Sequence, residues 1–378
     1  MKQLSFSLLP RGFIVLPALA SVVIVIEAFL ITPMNTADPA YDIWDCRRYI
    51  SLAQGAPERY TSEAPFCWRV LVPAVVRTLP LSPDRAFYLL TIASLMAGSV
   101  LFLLYCRAKG LTSNEIAAAI CFFLFSRWIT GYLLFDFALV DAEALVFILL
   151  ILWLSEIKAP RAFLLSVLAV GMLCKEQVLI AGIYLAAKEL RHEEKISARI
   201  AMGLLPVILP LAVLLLLHST ITPANDYSIV SELRNRFTAA DPPGFLHYTG
   251  RQWAAFVYDF TLGTWGAIAL LVIFFGKKIL RRLGSSPESS SVLAVVALQP
   301  LVAWNLERLL IYAFPIIVPL CIEELRDLPS RNGIKSSAVL WFSAALQALI
   351  FLHFLLSSHG IATPSVRTFL LGTMIPLL

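Results

Sequence analysis

Apolar runs long enough to cross a bilayer recur along nearly the whole chain, and they limit the fold more than any other feature. Lipid offers no partner for a backbone N–H or C=O, so a segment inside it must be a helix or a strand of a closed barrel. Barrel strands alternate polar and apolar residues, and runs such as Leu211–Leu217 do not. Hydrophobic residues make up 59% of the 378 and charged ones only 15%, against an apolar share of roughly 45–50% in soluble domains. The expected fold is therefore all-α. Residues 1–378 form a single transmembrane domain, a polytopic helical bundle of about 9–11 full or partial spans with a polar first extracytoplasmic loop.

The spans read as 13–32, 85–105, 115–131, 139–155, 162–174, 177–188, 200–218, 255–275, 290–304, 308–322 and 336–357. Two pairs are short. One hinges on Cys174–Lys175–Glu176–Gln177 and the other on Asn305–Leu306–Glu307–Arg308. Charges where half-length helices meet predict broken hairpins lining a polar cavity, because lipid does not tolerate them. The plainer alternative is a pair of kinked helices with a charge at an interfacial turn. Phe13–Thr32 is too long for a signal-peptide core, and no small-residue cleavage site follows it, so it reads as a retained anchor.

Short loops carrying Arg107 and Lys109, Lys158 and Arg161, Lys188 to Arg199, Lys277 to Arg282, and Arg326 to Lys335 assign one side as cytoplasmic. The opposite loops, 33–69 and 219–254, are longer and belong to the functional surface. The net charge of +5 follows from this loop bias, so nucleic acid is not an expected partner. The six cysteines, at 46, 67, 106, 121, 174 and 321, have no CxxC spacing, and the five histidines are scattered. A zinc site is not expected. Cys46 and Cys67 share the first outer loop, where a disulfide is one option.

That loop is the most polar stretch of the chain: Tyr41 to Arg69 reads YDIWDCRRYISLAQGAPERYTSEAPFCWR. Asp42 and Asp45, three residues apart, share a face if the segment is helical. Three further polar points fall on the same predicted side, namely Asp136/Asp141, Lys175/Glu176 and Glu307/Arg308. Each has a plain structural reading. Asp141 in LVDAEALVF fits an N-cap, and Glu307 and Arg308 can pair with each other. Together they suggest one cavity. A carboxylate near the water boundary can act as general base toward a hydroxyl, and Lys and Arg at membrane depth can hold a lipid phosphate. One base and two or three cations suffice for glycosyl transfer from a lipid phosphate. Hydrolysis of a glycoside normally needs a paired acid and base.

The stretch Trp44-Asp-Cys-Arg-Arg-Tyr-Ile-Ser-Leu-Ala53 resembles the first outer-loop motif of the GT-C-type integral membrane glycosyltransferases. Those enzymes carry an acid and then a Tyr about four positions on. The position after the acid often holds a second acid in the family's aminoarabinose and mannose transferases. Here it is Cys46, which argues against a two-acid metal site, although a divalent metal stays open. Val140-Asp-Ala-Glu-Ala-Leu-Val-Phe147 is similar to the acid that opens the family's fourth span. Leu173-Cys-Lys-Glu176 resembles its Lys-containing turn, and Arg308-Leu-Leu-Ile-Tyr-Ala-Phe-Pro315 its late Arg…Tyr…Pro segment. Pro65-Phe-Cys-Trp-Arg-Val-Leu-Val-Pro73 adds an Arg where the loop returns to the membrane.

The resemblance implies a polyprenyl-phosphate-linked sugar donor, a catalytic Asp in the first outer loop, and transfer to a glycan, lipid or protein acceptor outside the cytoplasm. The setting it implies is a bacterial inner membrane and its cell envelope. On that reading Asp45 is the base and Asp42 its reserve. Lys175, Arg308 and Arg69 bind the donor phosphate, and Asp141 orients sugar or acceptor. Tyr49 and Trp44 either stack on a sugar ring or belong to the interfacial aromatic belt. The rival readings are a transporter or flippase of a lipid-linked sugar, and a non-catalytic membrane assembly protein.

Overall fold

The computed structural model describes residues 11–38, 45–55, 63–190, 196–223, 225–240, 245–301, 306–327 and 335–357. Among the described residues the chain is helical, without a strand. Three helices are long and apolar enough to cross a bilayer: Pro83–Ala108, Gly203–Thr220 and Ser336–Leu356. The number rises to five if each of two sharply bent pairs counts as one span.

The helices run α1 (Arg11–Leu30), α2 (Asp45–Gln54), α3 (Leu71–Thr78), α4 (Pro83–Ala108), α5 (Ser113–Leu124) and α6 (Tyr132–Phe135). Then come α7 (Asp141–Glu156), α8 (Arg161–Cys174), α9 (Leu179–Glu189) and α10 (Ile196–Thr220). The last are α11 (Ile229–Thr238), α12 (Gly250–Tyr258), α13 (Ala267–Ser285), α14 (Pro287–Leu298), α15 (Leu306–Leu310), α16 (Phe314–Arg326) and α17 (Ser336–Ser357). Local chemistry sets several boundaries. Pro83 starts α4 with a residue that needs no N–H partner. Gly110, at φ +82°, ends it, and Leu111 N–H returns to the Cys106 carbonyl at 3.1 Å, the 6→1 closure of a Schellman cap. Thr112 and Glu115 then form a capping box at the start of α5.

Packing orders these helices into a layered bundle. α4 lies against α7, α1 and α5, and α9 lies against α10 and α14. In its core Phe102 stacks on Phe123, and Phe314 meets Phe102 tilted and Phe123 edge-on. The outward faces are apolar as well: Phe29 on α1, Leu215 on α10 and Phe342 on α17 are each at least 70% exposed. Apolar surface on this scale fits a lipid surround better than water.

The antiparallel run α7–α8–α9 defines two ends. At one lie Asp141 and Lys175. At the other, Lys188 reaches Glu156 at 3.0 Å and Arg161 lies 3.9 Å from Glu189. That second end also carries Arg326 bound to Glu115 and Arg282 bound to Glu323 and Glu324. These pairs latch neighbouring helices where the basic loops gather.

Among the described residues three to five helices are long and apolar enough to span, where the sequence predicts about 9–11 full or partial spans. Two expected runs are bent. The run 115–131 breaks between α5 and the π-helical turn Arg127–Gly131, by 45°. The run 255–275 is not a single rod, because α12 and the π-helical turn Asp259–Gly263 meet α13 at 92°. Gly266, at φ +56°, makes the corner, and Gln347 of α17 accepts from Ala267 N–H at 2.8 Å to hold it. The first expected hinge is a true break: α8 stops at Cys174, Lys175 is extended, and α9 starts at Leu179. Of the second hinge, Asn305 lies outside the described residues, as do Asp42 and Trp44, and Leu306–Arg308 open α15.

Candidate functional site

Four separate segments deliver charged side chains to one place. α2 supplies Asp45 in its first turn, where a helix N-terminus favours a carboxylate. The helix is amphipathic: Cys46, Tyr49, Ile50 and Ala53 face the core. Its C-terminal carbonyls are held by Arg77, which donates to Leu52 and Ala53. Asp45 is thereby fixed at the inner edge of the loop. Arg308 comes from α15, more than 260 positions away, and its Nη1 donates to Asp45 Oδ2 at 2.8 Å. Arg48 Nη1 stands 4.0 Å from the other oxygen, Oδ1.

Behind Arg308 lies Asp141, with no exposed surface. Lys175 Nζ donates to its Oδ1 at 2.7 Å, and the Tyr312 hydroxyl donates to the same oxygen at 2.5 Å. Arg308 Nε sits 3.8 Å from Asp141 Oδ2, beyond hydrogen-bond reach, and neither atom has another partner. Asp45, Arg308, Asp141 and Lys175 thus form one chain of alternating charge. Arg308 and Tyr312, four residues apart, reach Asp141 from one side of their segment.

Asp136 joins this network from the loop between α6 and α7. It is buried, with the Tyr132 hydroxyl 3.4 Å from Oδ2 and no partner for Oδ1. Burial pushes its carboxyl up to about 7; Arg308 opposes the shift, and Asp45 and Asp141 add to it. A second unit adjoins the first. Arg69 is buried and ion-paired with Glu176 through two nitrogens, and it also donates to the Tyr49 hydroxyl.

The structure therefore brings together Asp45, Arg308, Asp141 and Lys175, and sets Arg69 and Tyr49 beside Glu176. Asp141 is not the expected N-cap, which falls on Val140; it is the first residue of α7 and the counter-ion of two cations. Its burial removes it from direct reach of a sugar. Tyr49 is wholly buried and packs edge-on against Phe66, with ring centroids 5.6 Å apart. Its ring is not presented to a ligand, and it acts through Arg69. Asp42 lies outside the described residues, and the side chain of Glu307 is not among those described. Cys46 and Cys67 are both buried and free, Cys46 lying against Met34. Among the described residues, no three His, Cys, Asp or Glu side chains gather in a way that could hold a metal ion.

Sequence reading passed over Tyr312 and Tyr132 as site members. The signal for Tyr312 was its spacing of four from Arg308. Tyr132 had an equivalent one in its spacing of four from Asp136.

Two residues beyond Arg308, Leu310 enters the wall of a half-open apolar groove of about 230 Å³. Phe260, Trp265, Val272, Val296 and Ala313 line it, and Thr261 is its single hydroxyl-bearing residue. Arg308 and Tyr312 face the charged network, whereas Leu310 and Ala313 line the groove from the other side of the same segment. No family model matches the chain, and no curated protein or solved structure does either.

Proposed function

We propose that this protein belongs to the class of integral membrane enzymes that act on lipid-linked substrates at the membrane surface. More particularly, it is a glycosyltransferase that moves a sugar from a polyprenyl-phosphate donor to an extracytoplasmic acceptor hydroxyl, in the GT-C manner. The observation that carries this reading is Arg308, shared between Asp45 and Asp141 on the segment whose other side lines the apolar groove. The polyprenyl chain lies in the groove, and the phosphate meets Arg308.

The step is a substitution at the anomeric carbon. The acceptor oxygen forms the new bond, the bond from that carbon to the phosphate oxygen breaks, and Asp45 takes the acceptor proton. The leaving polyprenyl phosphate keeps the electron pair, and Arg308 neutralises its charge. Lys175 and Tyr312 hold Asp141, which holds Arg308 in place. Because Arg308 is ion-paired with Asp45 before the donor arrives, the phosphate must take Arg308 from it. Donor binding then frees the base, which restrains proton abstraction until both substrates are present.

A transporter or flippase would need polar groups along its whole path. Below Glu143, the buried face of α7 is Ala144, Leu145, Ile148, Leu149, Ile151 and Leu152, which favours an enzyme working from one side. The test is Asp45→Asn in purified protein, assayed for sugar transfer and for donor binding. Turnover is expected to fall by about two to four orders of magnitude, the contribution of a positioned base. Donor affinity should hold or improve, since Arg308 loses its competitor. Full turnover, or donor binding lost with the carboxylate, would overturn the assignment.

A further inference from the structure

The π-helical turn Arg127–Gly131 carries a cation that the charged network does not use. Arg127 is partly exposed, with its guanidinium 4.9 Å from the Trp128 ring and 4.7 Å from the Phe354 ring. Its Nε is sealed from solvent without a hydrogen-bond partner, and among the described residues no carboxylate pairs with it. The local sequence builds this seat. Ser126 accepts from Ile129 N–H at 3.3 Å and starts the turn. Gly131 ends it, and its missing side chain admits Phe351 and Phe354, whose rings would stand 2.9 Å from a Cβ there. Trp128 is fixed in turn, because its Nε1 donates to the Gly263 carbonyl at 3.1 Å.

The depth of this cation follows from α17. The span Ser336–Leu356 starts at the basic end and has Gln347 at its middle. Gln347 Nε2 donates to the Phe125 carbonyl at 3.0 Å, so Phe125 lies near the midplane and Arg127 follows just after it. Phe354 stands beyond Gln347 on the site's side, by about 10 Å at a rise of about 1.5 Å per residue. Half of a hydrocarbon core is roughly 15 Å, which leaves the Arg127 guanidinium about 5 Å inside the boundary. A cation at that depth is costly, and a counter-ion relieves the cost. Aromatic rings attract a guanidinium but leave most of its N–H donors unused.

We infer that Arg127 binds the phosphate of a lipid in the leaflet on the site's side, with the acyl chains lying on the apolar faces of α1 and α17. Both helices pack on the turn. Each also keeps large apolar side chains outward, Phe29 on α1 and Leu349 on α17. A guanidinium matches phosphate with two parallel N–H···O bonds, and phosphate is the anion that a lipid brings to the edge of the hydrocarbon. The bound lipid steadies the turn, and with it Tyr132, whose ring centroid lies 4.7 Å from that of Trp128. This site is separate from Arg308, which has carboxylate partners of its own. The inference needs only a membrane around α17 and does not depend on the glycosyltransferase reading.

The test uses the full chain in a maltoside detergent, with lipid binding read by native mass spectrometry. The probes are phosphatidylglycerol, a galactosyl diacylglycerol with the same acyl chains and no phosphate, and inorganic phosphate. The parent protein should hold phosphatidylglycerol about tenfold more tightly than Arg127→Gln. Arg127→Lys keeps the charge and should fall between them. Arg85→Gln, which removes an exposed arginine from the first turn of α4, should bind like the parent. The galactolipid and inorganic phosphate should bind weakly, and alike in parent and Arg127→Gln. Equal phosphatidylglycerol affinity in parent and Arg127→Gln would overturn the inference. Equal losses in the Gln and Lys variants would do the same, by tracing the effect to packing. Galactolipid bound as tightly as phosphatidylglycerol would reduce the site to an apolar surface, and inorganic phosphate bound as tightly would remove the lipid from it. Either result would also overturn the inference.

Discussion

Asp45, Asp136 and Asp141 face two cations, Arg308 and Lys175, in the charged network, and Asp136 carries the surplus negative charge. It is buried and lacks a counter-ion of its own, and its carboxyl is pushed up to about 7. Below that pH it is neutral and the network balances; above it, an extra negative charge stands beside the phosphate position. A phosphodiester keeps its charge over this range, so the protein alone changes. Donor affinity should therefore be higher at pH 6 than at pH 8. A like charge roughly 8–16 Å away, at an effective dielectric near 20, costs about 1–2 kcal/mol, on the order of a tenfold change in affinity. Asp136→Asn should hold the tighter value at both pH values. Equal affinity at pH 6 and 8 in the unaltered protein would remove Asp136 from the site.

At the scale of elements, the break between α8 and α9 exists to deliver Lys175. With the helix interrupted, its side chain reaches Asp141 on α7, and both groups lose nearly all contact with solvent. Removing one member of such a pair leaves an uncompensated charge, at a cost of about 3–5 kcal/mol. Lys175→Leu should lower thermal stability in detergent by that order, and adding Asp141→Leu should recover a good part of it. A single variant as stable as the parent would show that the pair is not needed for the fold. This break was legible in the sequence because charge interrupted an apolar run. The corner at Gly266 was not, since the one charge in 255–275, Asp259, stands well before it and a glycine in such a run is commonplace. The site divides in the same way. Lys175 and Arg308 stood out as charges in apolar surroundings, and Asp45 by its place in the polar first loop. The depth of Asp141 and Tyr49 was hidden, because burial depends on what packs from the other helices.

For the whole molecule, the two ends differ in kind, and that difference predicts an orientation. One end gathers the buried network around Arg308. The other gathers partly exposed latches, Arg326 with Glu115 and Arg282 with Glu324, among the basic loops. Lysines and arginines in short loops stay cytoplasmic, so the network should open on the opposite side. Gln54 and Asn225 are exposed near the network end, and Asn225 is tied to the first loop by accepting from Ala64 N–H at 2.7 Å. Lys278 is exposed at the basic end of α13. In intact cells a membrane-impermeant maleimide should label Gln54→Cys and Asn225→Cys, and should reach Lys278→Cys only after the membrane is opened. Labelling of 278 alone in intact cells would invert the protein and put the phosphate site in the cytoplasm. Labelling of all three would mean that the bent pair of α12 and α13 does not carry the chain across. Only the expected pattern leaves Asp45 and Arg308 facing an acceptor outside the cell.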